Sequence, residues 1–302
     1  MLPFARVSVI GLGLIGSSIL RAVRAAMPTV HLTGHDGDAA VRETVRNLDL
    51  CDDVTDTAGA AVTDADLVIL CVPLGAMAEV AESIAADLPP EAVVSDVGSA
   101  KAGVAAVLTA ALPNNAVVPA HPVAGTERSG PEAGFAALFH KRWCILTPGP
   151  DTPEAAVVRV SEFWKRLGAE VETMEPAHHD LVLAITSHLP HLIAYTIVGT
   201  ASDLESVTQS EVIKYSAGGF RDFTRIAASD PTMWRDVFLT NKDAVLEMLQ
   251  RFSEDLTALQ RAIRWGDGDA LFDLFTRTRA VRRSIIEQGQ DDERPDFGRS
   301  DH

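Results

Sequence analysis

Val7-Ser8-Val9-Ile10 runs directly into Gly11-Leu12-Gly13-Leu14-Ile15-Gly16, and a helical pattern continues from Leu14 to Ala26. An apolar β-branched run, a glycine turn and a helix in immediate succession predict the opening βα unit of a dinucleotide-binding domain. The glycines have separate tasks: Gly11 permits the tight turn, Gly13 lets a pyrophosphate approach the backbone, and Gly16 lets helix and strand pack closely. Leu12, Leu14 and Ile15 complete the cofactor loop, whose helix N-terminus turns N–H donors and a positive dipole end toward phosphate. Asp36 ends the second predicted strand, 20 residues beyond Gly16. There a carboxylate accepts hydrogen bonds from an adenosine ribose and repels a 2′-phosphate, so NAD is favoured over NADP. The plainer alternative is a glycine turn that serves packing alone.

The same alternation continues outward. Strands are expected at 31–35, 67–72, 92–95 and 116–119, with helices at 38–47, 76–86 and 101–111 between them. Strands apolar throughout and separated by helices imply a parallel sheet covered on both faces, a doubly wound α/β domain of Rossmann type. Val72 and Pro73 close one of these strands at the carboxyl edge, where such sheets bind ligands. They are either cofactor contacts or a simple strand stop. A strand at 143–147, a helix at 153–167 and a strand at 170–173 follow. From Pro176 onward the pattern is helical, with long segments at 176–202, 231–265 and 269–288. The expected organisation is a dinucleotide-binding domain over 1–175, an all-α domain over 176–289 and a mobile polar tail over 290–302.

The chain has 302 residues, long enough for two full cores. Its 26 Lys+Arg against 42 Asp+Glu give a net charge of −16, which disfavours nucleic acid and anionic membrane as partners. Cys51, Cys71 and Cys144 are widely spaced and odd in number, so a reducing cytoplasm is expected rather than a disulfide framework. By inspection no apolar run reaches the ~18 residues of a membrane span, and no signal peptide is expected.

Candidate chemistry gathers at the ends of later strands. Asp96-Val97-Gly98-Ser99-Ala100-Lys101 and His121-Pro122-Val123-Ala124-Gly125-Thr126-Glu127 both fall at the expected carboxyl edge. A histidine titrates near working pH and suits removal of a hydroxyl proton during hydride transfer, although His121 could equally be a turn residue bonded to backbone. Ser99 either hydrogen-bonds that histidine or caps the helix containing Lys101. In the helical region, Asp180, Ser187 and His191 fall at i, i+7 and i+11, a polar stripe interrupted by Pro190, which suggests a kinked helix lining a cavity, or else satisfied polar residues at a packed helix interface. His178, His179, His188 and His191 lack a familiar zinc spacing, and no metal is expected. Arg221 and Arg225, four apart, suit a carboxylated substrate or pair with surface aspartates. Asp230-Pro231 reads as a helix start, and Trp234 as a core residue.

GLGLIGSS at 11–18, DVGSAK at 96–101, HPVAGTE at 121–127, SHLPH at 187–191 and GGFRDFTRIAASDPTMWRD at 218–236 occur in one order along the chain. In this combination the sequence resembles the prephenate/arogenate (cyclohexadienyl) dehydrogenases, the TyrA family of tyrosine biosynthesis. The resemblance implies oxidative decarboxylation of a cyclohexadienyl acid with hydride transfer to NAD. It implies that His121 accepts the hydroxyl proton with Ser99 orienting it, that Arg225 binds the ring carboxylate, and that His191 contacts the substrate side chain. Glu127, Asp180, Arg221 and Trp234 would shape or gate the pocket, with Arg221 standing where some relatives have lysine. A homodimer built on the helical domain is also implied. Two alternatives stay open: another dehydrogenase of the β-hydroxyacid type, and a non-catalytic NAD-binding sensor.

Overall fold

A computed structural model describes residues 2–126, 128–208, 214–215 and 217–287. Six parallel strands form the main sheet: β1 (Arg6–Ile10), β2 (His31–His35), β3 (Asp53–Val54), β4 (Leu67–Leu70), β5 (Val93–Asp96) and β6 (Ala116–Val117). Their spatial order is β3-β2-β1-β4-β5-β6, so the order in which strands are added reverses between the parallel neighbours β1 and β4. In such sheets the crevice at that reversal is where ligands bind. The interleaved helices are α1 (Leu14–Ala26), α2 (Ala39–Asn47), α3 (Ala58–Val62), α4 (Met77–Ile84) and α5 (Ala102–Ala111).

Strand periodicity explains why the sheet must be covered twice. Val7 and Val9, Leu67 and Ile69, and Val93 belong to one buried cluster, while Ile10, Val68, Leu70 and Val94 belong to another. Alternate residues of each strand therefore feed two cores, as uninterrupted apolar runs demand. Fully burying one such side chain stabilises by about 1.5–3 kcal/mol, so neither face could be left open.

Where the expected last strand continues to Pro119, the observed β6 stops at Val117. The chain crosses into a second sheet of β7 (Ala120–Pro122), β8 (Trp143–Leu146) and β9 (Glu170–Thr173), with β7 and β8 antiparallel and β8 and β9 parallel. His121 thus lies within a short strand rather than just past one. Helix α6 (Glu154–Arg166) supplies Phe163 and Trp164, which pack edge-to-face and close this end of the core.

Beyond β9 come α7 (Pro176–Leu183), a π turn (Ala184–His188) and α8 (Leu189–Thr208). This stretch departs from one expectation: by length and composition Pro176–Leu204 could cross a membrane, with a mean hydropathy of 1.6. Its polar residues argue for a core wall instead, because His179, Asp180 and His188 are buried and hydrogen-bonded to protein. A short helix α9 (Gly218–Thr224) and a 3₁₀ turn (Arg225–Ala228) precede α10 (Pro231–Thr240), α11 (Lys242–Trp265) and α12 (Gly268–Glu287). Asp230 caps α10 by accepting from the Met233 N–H, with Pro231 in the first turn, as the sequence suggests.

The helix expected from 231 to 265 is interrupted at Asn241. Its buried amide is committed elsewhere, as described below. Two compact units divide the chain at Leu246/Glu247. The first helices after β9 therefore belong to the same body as the sheet. The tail over 290–302 lies outside the described residues.

Candidate active site

The crevice is built by backbone. Gly11 has φ +94°, and a Cβ there would meet the Cys71 carbonyl oxygen at 2.4 Å. At Gly16 a Cβ would lie 2.0 Å from the Gly11 oxygen. Both positions therefore exclude any side chain, the first by conformation and contact and the second by contact. Gly13 differs, since nothing lies within 4 Å of its would-be Cβ. Open space above Gly13 and an α1 N-terminus without a side-chain cap fit a phosphate group. Val72 and Pro73 follow β4 across the crevice, with Val72 packed toward Gly11. Asp36 has a structural task as well: Oδ2 accepts from the Leu12 N–H at 2.8 Å and Oδ1 from the Asp38 N–H at 2.9 Å. Each oxygen retains a lone pair for a ribose hydroxyl.

His121 is nearly buried, with 7% of its surface exposed. Its Nδ1 lies 2.9 Å from His179 Nε2, and His179 Nδ1 lies 2.9 Å from Asp180 Oδ1. Asp180 also accepts from the Lys101 N–H at 2.7 Å and the Ala102 N–H at 2.9 Å. It therefore caps α5 from another helix, a task the sequence reading offered to Ser99. Ser99 does not cap α5, which begins at Ala102 and has no cap from its own chain neighbours. Asp180 is buried, and both of its oxygens accept from protein groups.

A buried ion pair supports the same strand. Lys101 Nζ contacts Asp96 Oδ2 and donates to the Ala120 carbonyl at 2.9 Å, while Asp96 accepts from the Gly98 N–H at 2.7 Å. Lys101 is thereby tied to the residue just before His121. Burial lowers the Lys101 pKa, and the Asp96 and Asp180 charges only partly restore it.

The predicted polar stripe on the helix is displaced by the π turn. That turn inserts one extra residue, so the position two helical turns beyond Asp180 falls on His188 rather than Ser187. His188 is fully buried and Ser187 only half-buried. Asn241 explains the pairing: its amide donates to the Asp180 carbonyl at 2.8 Å and lies 3.1 Å from His188 Nδ1. His188 packs edge-to-face on Trp234, which in turn stacks on His191 with ring centroids 3.6 Å apart. Arg225 lies close enough for its charge to depress the His191 pKa, after burial, the larger cause. One chain of contacts therefore links His121, His179, Asp180, Asn241, His188, Trp234 and His191.

Of the residues singled out from sequence, His121, Asp180, Trp234, His191 and Arg225 are brought together along this chain. Ser99 is not hydrogen-bonded to His121, whose partner is His179; the Ser99 backbone instead bears on His188. Arg221 is exposed on α9, and no contact joins it to the chain among the described residues. Glu127 lies outside the described residues. His179, Lys101, Asp96 and Asn241 escaped the sequence reading. The signal for His179 was its place in a histidine-rich segment weighed only for metal. Among the described residues no group of three or more His, Cys, Asp or Glu is arranged to hold a metal.

A six-stranded parallel sheet with a glycine crevice at its reversal, joined to a helical region rich in buried histidines, defines a dinucleotide-binding oxidoreductase. Residues 19–173 match the family model described as prephenate dehydrogenase, nucleotide-binding domain. Residues 175–277 match the prephenate dehydrogenase dimerization domain. The chain belongs to the prephenate dehydrogenase family. It is 45% identical to the cyclohexadienyl dehydrogenase of Zymomonas mobilis over 94% of this chain and 97% of that one. It is 33% identical to the prephenate dehydrogenase of Bacillus subtilis, over 91% and 74% respectively. The crystal structure of Aquifex aeolicus prephenate dehydrogenase with hydroxyphenyl propionate and NAD+ superposes with a TM-score of 0.88. That match has 33% identity and covers 94% of this chain and 98% of that one. The reaction class is oxidative decarboxylation of a cyclohexadienyl acid with hydride transfer to a nicotinamide cofactor.

Proposed function

We propose that this enzyme is an NAD-dependent cyclohexadienyl dehydrogenase that accepts both prephenate and arogenate, with His121 as the group that takes the substrate's hydroxyl proton. The observation that carries this reading is the state of His121. Burial, then the charges of His179, Lys101 and His188, hold its pKa well below the ordinary value. At neutral pH the ring is therefore uncharged, the form a general base requires. Its Nδ1 is taken by His179, which leaves Nε2 for the substrate.

A nicotinamide, when bound, supplies the two-electron acceptor. The glycine loop 11–16 with Val72 and Pro73 would hold its dinucleotide, and Asp36 the adenosine ribose. NAD is favoured over NADP on two grounds. Asp36 is a carboxylate beside that ribose, and the nearest guanidinium is already committed. Arg42 donates to the Asp36 and Gly37 carbonyls at 2.8 and 3.3 Å and pairs with Asp56. As the C–H bond of the carbinol carbon breaks, His121 receives the O–H proton. The C–C bond to the ring carboxylate then breaks and CO2 departs; its electron pair completes the aromatic ring, and the ring oxygen takes the proton back from His121, which gives the phenol and restores the neutral base. Arg225 would hold the ring carboxylate, and His191 on Trp234 the side chain, and the resemblance gives Arg221 and Glu127 the task of shaping or gating the pocket. Ser99 would orient the substrate hydroxyl.

Exposed apolar residues on the second compact unit, including Ile263, Trp265, Phe272 and Phe275, support a homodimer formed through the helical region. Buried free thiols at Cys51 and Cys144 suit a cytoplasmic setting. The test is a matrix of initial rates, prephenate and arogenate each with NAD and NADP. Turnover of both acids, faster with NAD, is expected. Binding of NAD without turnover of either acid overturns the assignment, and equal rates with NADP overturn the role of Asp36.

A further inference from the structure

We propose that His179 is a positioning residue, which with Asp180 fixes the proton of His121 on Nδ1 and so leaves Nε2 free to accept from substrate. The inference rests on the reading of His121 as the proton acceptor, and extends it by naming what decides which nitrogen is available.

The argument is one of donors and acceptors. Asp180 receives N–H donors from Lys101 and Ala102 at the start of α5, and is held ionised. Burial alone would raise its pKa, but the His179 hydrogen bond and the two backbone N–H groups outweigh it and leave the pKa lowered. A carboxylate can only accept, so His179 Nδ1, 2.9 Å away, must carry the proton. His179 is then donating from one nitrogen and, in its neutral form, offers a lone pair on the other. His121 Nδ1, 2.9 Å from that Nε2, must therefore be the donor. The polarity that begins at the α5 N-terminus thus passes through two imidazoles and ends at His121 Nε2, which makes no hydrogen bond among the described residues.

The arrangement also limits ring rotation. His179 is fully buried, and the two rings meet edge-on at 71° with centroids 5.1 Å apart. Turning the His121 ring over would break its bond to His179 and leave a buried lone pair without a donor. After transfer, His121 is a cation with both nitrogens protonated, and its Nδ1–H still points at His179. The relay stabilises that cation without accepting the proton itself, the role a carboxylate plays behind the histidine of a serine protease.

The test uses His179→Phe, which keeps an aromatic ring of similar shape and has no acceptor, alongside His179→Gln, whose amide oxygen can accept from Nδ1–H. With the intact enzyme, ¹⁵N imidazole spectra should show His121 protonated on Nδ1, the signal identified by its loss in His121→Asn. In His179→Phe the His121 signal should move toward the Nε2–H form. Turnover should fall by a factor on the order of 10–10², with KM for prephenate and NAD affinity nearly unchanged. His179→Gln should recover part of the rate. An Nε2–H tautomer in the native enzyme, or native turnover and tautomer in His179→Phe, overturns the inference. If His179→Phe proves poorly folded, the native tautomer and the partial rate of His179→Gln decide the matter. Unchanged turnover in His121→Asn would instead sink the reading of His121 as base, so the two failures are distinct.

Discussion

Lys101→Met removes the only cation of a fully buried pair, and the structure sets the size of the effect. Lys101 and Asp96 have no exposed side-chain surface, and the ammonium also donates to the Ala120 carbonyl. Met fills similar volume, so little is lost in packing. The Asp96 carboxylate is left with the Gly98 N–H at 2.7 Å and the Ala120 N–H at 3.3 Å as its remaining donors. Breaking a buried pair on one side typically costs about 3–5 kcal/mol, because the survivor keeps its desolvation penalty. Against a total stability of roughly 5–15 kcal/mol this is a large fraction, and corresponds to a fall in Tm of roughly 6–20 °C. Guanidinium unfolding followed by circular dichroism, without cofactor, measures it. The companion variant Asp96→Asn/Lys101→Met carries no buried charge and should be more stable than Lys101→Met alone. A loss below about 1 kcal/mol in the single variant, the range of an exposed pair, refutes the reasoning. So does a double variant no better than the single.

Three other expectations are independent of that pair. His121→Asn should lower turnover by a factor on the order of 10²–10⁴ while leaving NAD binding nearly intact, as fluorescence titration of the cofactor would show. Arg225→Ala should raise KM for the cyclohexadienyl acid far more than it lowers kcat, since it removes carboxylate binding common to ground and transition states; unfolding with little kinetic change would make Arg225 structural. Stability should fall on mild acidification. Burial depresses the His188 pKa from 6.5 to about 4, so below pH 6.5 the unfolded chain binds a proton that the folded chain refuses. The contribution is whole above pH 6.5 and is lost down to pH 4, about 3 kcal/mol in all, with His121 acting in the same direction. A flat midpoint between pH 7 and pH 5 in chemical unfolding would contradict it.

The sheet was legible because its determinants are local. Runs such as Leu67 to Leu70 carry apolar residues on both faces, and only a doubly covered parallel sheet satisfies them. Gly11 and Gly16 were legible for a related reason, since each sits where a side chain would strike backbone a few residues or one strand away. The helical region was legible in kind and wrong in phase. Periodicity pointed to Ser187, but the π turn rotates His188 inward, and nothing in the local pattern announces an added residue. Asn241 likewise breaks what reads as one helix from 231 to 265, because its amide is drawn to Asp180 and His188, which lie more than 50 residues earlier.

What the sequence determined by itself is the class of fold, the dinucleotide crevice and the residue types available for chemistry, because strand patterning, turn glycines and motif order depend on near neighbours along the chain. What only the tertiary structure decided is which groups act together. Asp180, which the sequence groups with the pocket residues, caps α5 and hydrogen-bonds His179; His179, a minor member of a histidine-rich segment, becomes the partner of His121. Those bonds join residues 58 to 79 positions apart, apart from the adjacent His179 and Asp180. Their geometry comes from packing a helix of the second half against the carboxyl edge of the sheet. Donor and acceptor roles are properties of such contacts, and a linear pattern does not contain them.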